Sequence, residues 1–180
     1  MIDVPRPIHQ RRPTATAVRW PGAESKMALK LSSPGWKSGE TIPKKYTGDG
    51  ADVSPPLSFE GVPNGTKAFA LICDDPDAPV GTWVHWVIYD VPGTAHGLPE
   101  GVPTNASLPD GTLQGRNSWK KSGYGGPSPP PGKPHRYFFR LYALRETLGM
   151  GPGLSAKEVE TAARAKALES AQLMGIYGRP

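Results

Sequence analysis

Three short apolar runs, separated by proline- and glycine-rich connections, decide what this chain can fold into. Lys67–Cys73 (KAFALIC) reads as a buried strand and Arg136–Leu144 (RYFFRLYAL) as another. Trp83–Val91 alternates, which places Trp83, His85, Val87 and Tyr89 on one face and Val84, Trp86 and Ile88 on the other. Ser54-Pro55-Pro56 and Gly123–Gly132 are typical of the turn-forming stretches between such runs. Short strands with frequent turns predict a mostly β fold, an antiparallel sandwich. With 22 Gly and 22 Pro in 180 residues the chain approaches low complexity, but five Trp and six Tyr argue for a packed core.

The C-terminal stretch has a different period. Ser155-Ala156-Lys157-Glu158 has the form of a capping box, with Ser accepting from a backbone N–H and Glu reaching back. Ala156, Val159, Ala163, Ala167 and Met174 follow at helical spacing, and Gly175 is a natural stop. The expectation is one helix of roughly five turns packed on the β core.

Residues 1–26 are rich in Pro, Arg and Thr and lack periodicity, so they are expected to form a disordered arm ahead of a single domain at 27–180. A targeting peptide and translated upstream sequence are the alternatives. Arg6, Arg11, Arg12, Arg19 and Lys26 against Asp3 and Glu24 give the arm +3 of the total +5. The domain itself is therefore nearly neutral, and charge gives no support to nucleic-acid binding. No apolar run is long enough for a transmembrane helix. The sole cysteine, Cys73, cannot form an internal disulfide, which fits a cytoplasmic location.

The candidate chemistry is concentrated near the strand ends. Asp74, Asp75 and Asp77 crowd into the turn after the first strand, with no Lys or Arg adjacent in sequence. Alone, such a cluster is more simply a turn whose Asp side chains accept from nearby backbone N–H groups. His85 lies inside the aromatic strand, where a single His is more often a satisfied core residue. His135 and Tyr137, two apart, share a strand face. Together, imidazoles and a phenol offer hydrogen bonds to an oxyanion, while Asp75 and Trp83 could meet a cationic group. Two His and two Asp could also hold a divalent metal, but no HExxH or paired-Cys spacing accompanies them. There is no G-x-S-x-G elbow, and Ser118-Trp119-Lys120-Lys121 matches S-x-x-K only at the frequency expected by chance.

These residues sit inside six ordered motifs: Ile42–Thr47, Asp49–Leu57, Asp75-Pro76-Asp77-Ala78-Pro79, Gly81–Trp86, Gly123–Pro127 and Pro134–Tyr137. In that order the motifs resemble the phosphatidylethanolamine-binding protein (PEBP) family, in its prokaryotic Raf-kinase-inhibitor-like branch (YbhB/YbcL type). Gly175–Arg179 matches as well, and the resemblance spans Met27–Arg179. It implies a Greek-key arrangement of two antiparallel sheets with a C-terminal helix. It also implies an anion pocket built from Asp75, Asp77, Trp83, His85, His135 and Tyr137, with Pro130 (or Pro129) as the lining proline. Gly48 and Ser128 stand where prokaryotic relatives often have Cys, and Asn117-Ser118-Trp119 departs from the usual rim.

The resulting expectation is a non-enzymatic binder of a small anionic or phosphorylated ligand, such as a phosphoethanolamine-like head group, with no catalytic residue, metal or cofactor. A kinase- or protease-inhibiting protein partner is the alternative implied by the family, and a metal-dependent hydrolase a third. A homodimer is compatible with the branch, although the sequence gives no measure of it.

Overall fold

A computed structural model describes residues 28–180. The expected arm lies outside the described residues. Eight strands form two antiparallel sheets. The smaller contains β1 (Lys30–Ser32), β2 (Leu57–Glu60) and β5 (Gly97–Leu98) in the order β1-β2-β5. The larger contains β3 (Ala68–Asp75), β4 (Trp83–Pro92), β6 (Leu113–Gln114), β7 (His135–Leu144) and β8 (Ala167–Tyr177), in the order β6-β4-β3-β7-β8. The chain runs from β3 to β4 to β6 and then returns by a long connection to place β7 beside β3. This is the expected Greek-key path.

The large sheet has two packed faces. Phe69, Leu71, Trp86, Ile88, Phe139 and Leu141 meet Leu31, Leu57 and Phe59 of the small sheet. On the opposite face, Ala70, Ile72, Val87, Tyr89 and Tyr142 pack with Val159 and Ala163 of helix α1 (Ala156–Lys166). Because β3 is covered on both sides, all eight of its residues are buried. Its apolar sequence therefore does not alternate.

The helix begins as expected. Ser155 Oγ accepts from Glu158 N at 3.3 Å, and Ser155 N donates to Glu158 Oε2 at 2.8 Å. Its end corrects the sequence reading, because α1 stops at Lys166 and Ala167–Tyr177 is strand β8. ALESAQLMGIY fits a period of two as well as a helical one, with Ala167, Glu169, Ala171, Leu173 and Gly175 more buried than their neighbours. The free edge of β7 pairs with it from Leu144 to His135. Tertiary pairing overrides a weak helical preference here. Gly175 is thus no helix stop. A Cβ there would lie 2.3 Å from Ile42 Cγ1, so glycine permits the close approach of the segment covering β8.

The alternation expected along β4 is also broken. Cys73 pairs with Trp86 and Asp74 with Val84, which leaves His85 as an extra, bulged residue. His85 therefore shares the inter-sheet side with Trp86 and Ile88, while Val87 and Tyr89 face the helix.

Candidate functional site

The site lies where the inter-sheet layer opens, at the end of β3. This strand lies between β4 and β7, so Asp75 has Trp83 as its β4 partner and the start of β7 on its other side. The histidines thus stand on strands of one sheet flanking β3. The loop from Asn117 to Gly132 folds over this end and supplies Trp119, Ser128, Pro129 and Pro130.

The three crowded carboxylates are resolved by β7, which provides each with its own partner side chain. Asp74 faces the helix side and pairs with Arg140. Asp75 Oδ2 lies 2.7 Å from His135 Nδ1, and its Oδ1 accepts from Asp77 N at 2.8 Å. Asp77 receives Arg136 N at 3.0 Å, Nε at 2.8 Å and Nη2 at 2.8 Å. The Arg136 guanidinium holds the Asp77 carboxyl well below the usual carboxylate range. Burial instead raises that of Asp74, with Arg140 opposing the rise.

Alternate positions thus diverge in role. Asp75, Trp83, His85, Pro130, His135 and Tyr137 line a cavity of about 240 Å³. Asp77 does not line it, because its carboxylate is committed to Arg136 and braces the β3–β4 turn against β7. Pro129 and Pro130 both line the cavity, so the choice between them dissolves.

His85 Nδ1 lies 2.6 Å from the Gly125 carbonyl, which ties β4 to the covering loop. A carbonyl only accepts, so Nδ1 carries the hydrogen and Nε2 is left for the cavity. Burial lowers the His85 pKa, against the opposing pull of the Gly125 carbonyl and the Asp75 charge. The His85 ring meets Tyr137 edge-on at 5.1 Å. The Tyr137 hydroxyl is buried without a hydrogen-bond partner. Burial, with the charge of Asp75, keeps that phenol protonated far above its ordinary range. Leaving such a group unpaired costs about 1–3 kcal/mol, which a ligand oxygen would recover.

Sequence reading missed Trp119 and Val80. Trp119 stands edge-on to Trp83 at 5.4 Å and to His85 at 5.2 Å, and is 41% exposed. Val80, beside it on the cavity wall, is 77% exposed. A lone tryptophan in a Ser- and Lys-rich loop was the available signal. Gly48 and Ser128 do lie side by side, with a Cβ on Gly48 reaching 3.1 Å from Ser128 Cβ. Among the described residues no cluster of three or more His, Cys, Asp or Glu could hold a metal ion. No helix among them is long and apolar enough to cross a membrane.

The family description for phosphatidylethanolamine-binding proteins matches residues 32–178. The chain belongs to this family. Among its PEBP relatives, a UPF0098 protein of Methanothermobacter thermautotrophicus is 52% identical over 138 residues, covering 77% of this chain and 91% of the relative. The UPF0098 protein YbhB of Escherichia coli is 36% identical over 157 residues, covering 83% and 99%. The crystal structure of Escherichia coli YbcL, described as a member of the mammalian PEBP family, superposes with a TM-score of 0.79 at 34% identity. That match covers 86% of this PEBP chain and all of YbcL. The prokaryotic branch inferred from the six motifs is thereby shown.

Proposed function

We propose that this PEBP-family chain is a non-enzymatic, cytoplasmic binder of a small oxyanion-bearing ligand of the phosphoethanolamine type. The observation that carries this reading is the buried, unpartnered Tyr137 hydroxyl in a cavity shared with His85 and His135. The phenol is held as a donor and makes no hydrogen bond within the protein, and a phosphoryl or carboxyl oxygen supplies an acceptor. The indoles of Trp83 and Trp119, which line the cavity, suit an ammonium group on the same ligand. A binding role accords with the bonding of the rings, since among the described residues no hydroxyl or thiol is hydrogen-bonded to either histidine.

Calorimetric titration of phosphoethanolamine into wild type, His135→Ala and Tyr137→Phe tests the reading. Heat of binding in wild type and its loss or weakening in both variants is the expected result. Equal heats from all three proteins would sink the pocket assignment.

A second reading, a protein-interaction regulator, is favoured by the exposed rim formed by Val80 and Trp119. A partner recovered equally by wild type and His135→Ala would bind away from the pocket.

A further inference from the structure

We propose that the pocket selects an oxyanion that brings its own proton, namely a phosphomonoester in its monoanionic form over a phosphodiester of equal charge. This rests on the oxyanion reading above and specifies the ligand class of that site.

The donors and acceptors of the cavity wall determine which oxyanion it complements. His85 Nδ1 donates to the Gly125 carbonyl at 2.6 Å, so the neutral ring presents Nε2 as a lone pair. Burial favours that neutral form. Tyr137 presents a hydroxyl that no protein acceptor occupies. Both oxygens of Asp75 are engaged, by Asp77 N and by His135 Nδ1, and its charge stands beside the cavity. His135 has only Nε2 left, which donates when the ring is protonated and accepts when it is neutral.

The wall therefore offers a donor at Tyr137, an acceptor at His85 while its ring is neutral, and an adjacent negative charge. A complementary group has an acceptor oxygen, an O–H and one negative charge. A monoester monoanion has all three. A diester also carries one charge, but every exposed oxygen is an acceptor, and one would meet the His85 lone pair. A dianionic monoester has the same defect and adds repulsion from Asp75.

The charged or titratable groups facing these rings come from several elements. Asp75 at the end of β3 and Asp52 in the loop before β2 both act on His85. Asp77 in the β3–β4 turn stands near His135. Arg179 near the C-terminus opposes the effect of Asp75 on Tyr137.

Methyl phosphate and dimethyl phosphate are the discriminating probes. Near pH 6, about half of a monoester is monoanionic. Titration there, followed by amide NMR shifts of the full chain, should show methyl phosphate binding about tenfold or more tightly, the worth of one hydrogen bond against a lone-pair clash. Raising the pH to 8 should weaken methyl phosphate more than dimethyl phosphate. In His85→Phe the preference should collapse towards unity, whereas Tyr137→Phe should weaken both esters and keep it. The nitrogen spectrum of His85 in the wild type needs no variant, and an unprotonated Nε2 in the free protein is expected. Equal affinities in wild type, a preference that survives His85→Phe, or a protonated Nε2 would each overturn the proposal. If neither ester binds, the oxyanion reading itself fails.

Discussion

His135 Nδ1 meets Asp75 Oδ2 at 2.7 Å across 60 residues of sequence, and both side chains are almost fully buried. Because the other Asp75 oxygen is held by a backbone N–H, the imidazole has one orientation, with Nε2 left over. Removing one partner of such a pair leaves the other buried and unmatched, at a cost of about 1–3 kcal/mol. His135→Ala should therefore lower the free energy of urea unfolding by an amount in this range. The double variant with Asp75→Asn should recover part of the loss, which a two-variant denaturation cycle measures.

Tyr137→Phe should behave in the opposite manner. The hydroxyl has no protein partner to lose, so the folded state should be unchanged or slightly more stable. Affinity for phosphoethanolamine should fall about tenfold, the worth of one hydrogen bond. Thermal unfolding and calorimetry on the same sample separate the two effects.

Acid should act through His85. Its folded-state pKa lies below the ordinary 6.5, so the unfolded chain takes up the proton first. The stability tied to the neutral ring is fully present above about pH 6.5 and declines as the pH falls towards the lowered folded value. Asp49 and Asp77, both lowered carboxylates, act only further into acid. Urea midpoints between pH 5 and 7 should show a decline in wild type that is shallower in His85→Phe.

The pocket wall is fixed from the far end of the chain. Arg179 pairs with Asp49, its Nη1 donates to the Pro129 carbonyl at 3.1 Å, and its Nη2 donates to Ser128 Oγ at 2.7 Å. The guanidinium holds the Asp49 carboxyl down to about 2. The pairing therefore persists through neutral and mildly acidic pH. Arg179→Ala should release the Ser128–Pro130 wall and weaken ligand binding several-fold, with a smaller effect on thermal unfolding, since partly exposed ion pairs contribute little. A parallel loss in Asp49→Asn, read by the same titration, would attribute the effect to the clamp.

Gly175→Ala distinguishes strand from helix. In a helix the change would stabilise by up to about 1 kcal/mol. Within β8 a new Cβ meets Ile42 and Trp36 Nε1, so a loss of about 1–3 kcal/mol by chemical denaturation is expected.

Strands β3, β4 and β7 were legible because their apolar and aromatic runs have strand length and sharp turn boundaries. The Ser155–Glu158 cap was legible because it is local. The family came from six ordered motifs, and they brought Asp75, Trp83, His85, Pro130, His135 and Tyr137 to one cavity. Strand β8 was not legible, because its eleven residues satisfy two periods and only β7 chooses between them. The family resemblance placed Asp77 in the pocket with Asp75, yet its carboxylate is engaged by Arg136 outside the cavity.

The sequence by itself determined the residue types at the site, the short strands that carry them and the start of the helix. All of these depend on neighbours a few positions away. Only the tertiary structure decided how three adjacent carboxylates divide among Arg140, His135 and Arg136, and which imidazole nitrogen each ring keeps. The pairing of β7 with β3 set the first outcome, and Asp75 and a glycine carbonyl, 60 and 40 positions away from their rings, set the second. Hydrogen-bond partners that distant are brought together by the packing of whole strands, which no local pattern encodes.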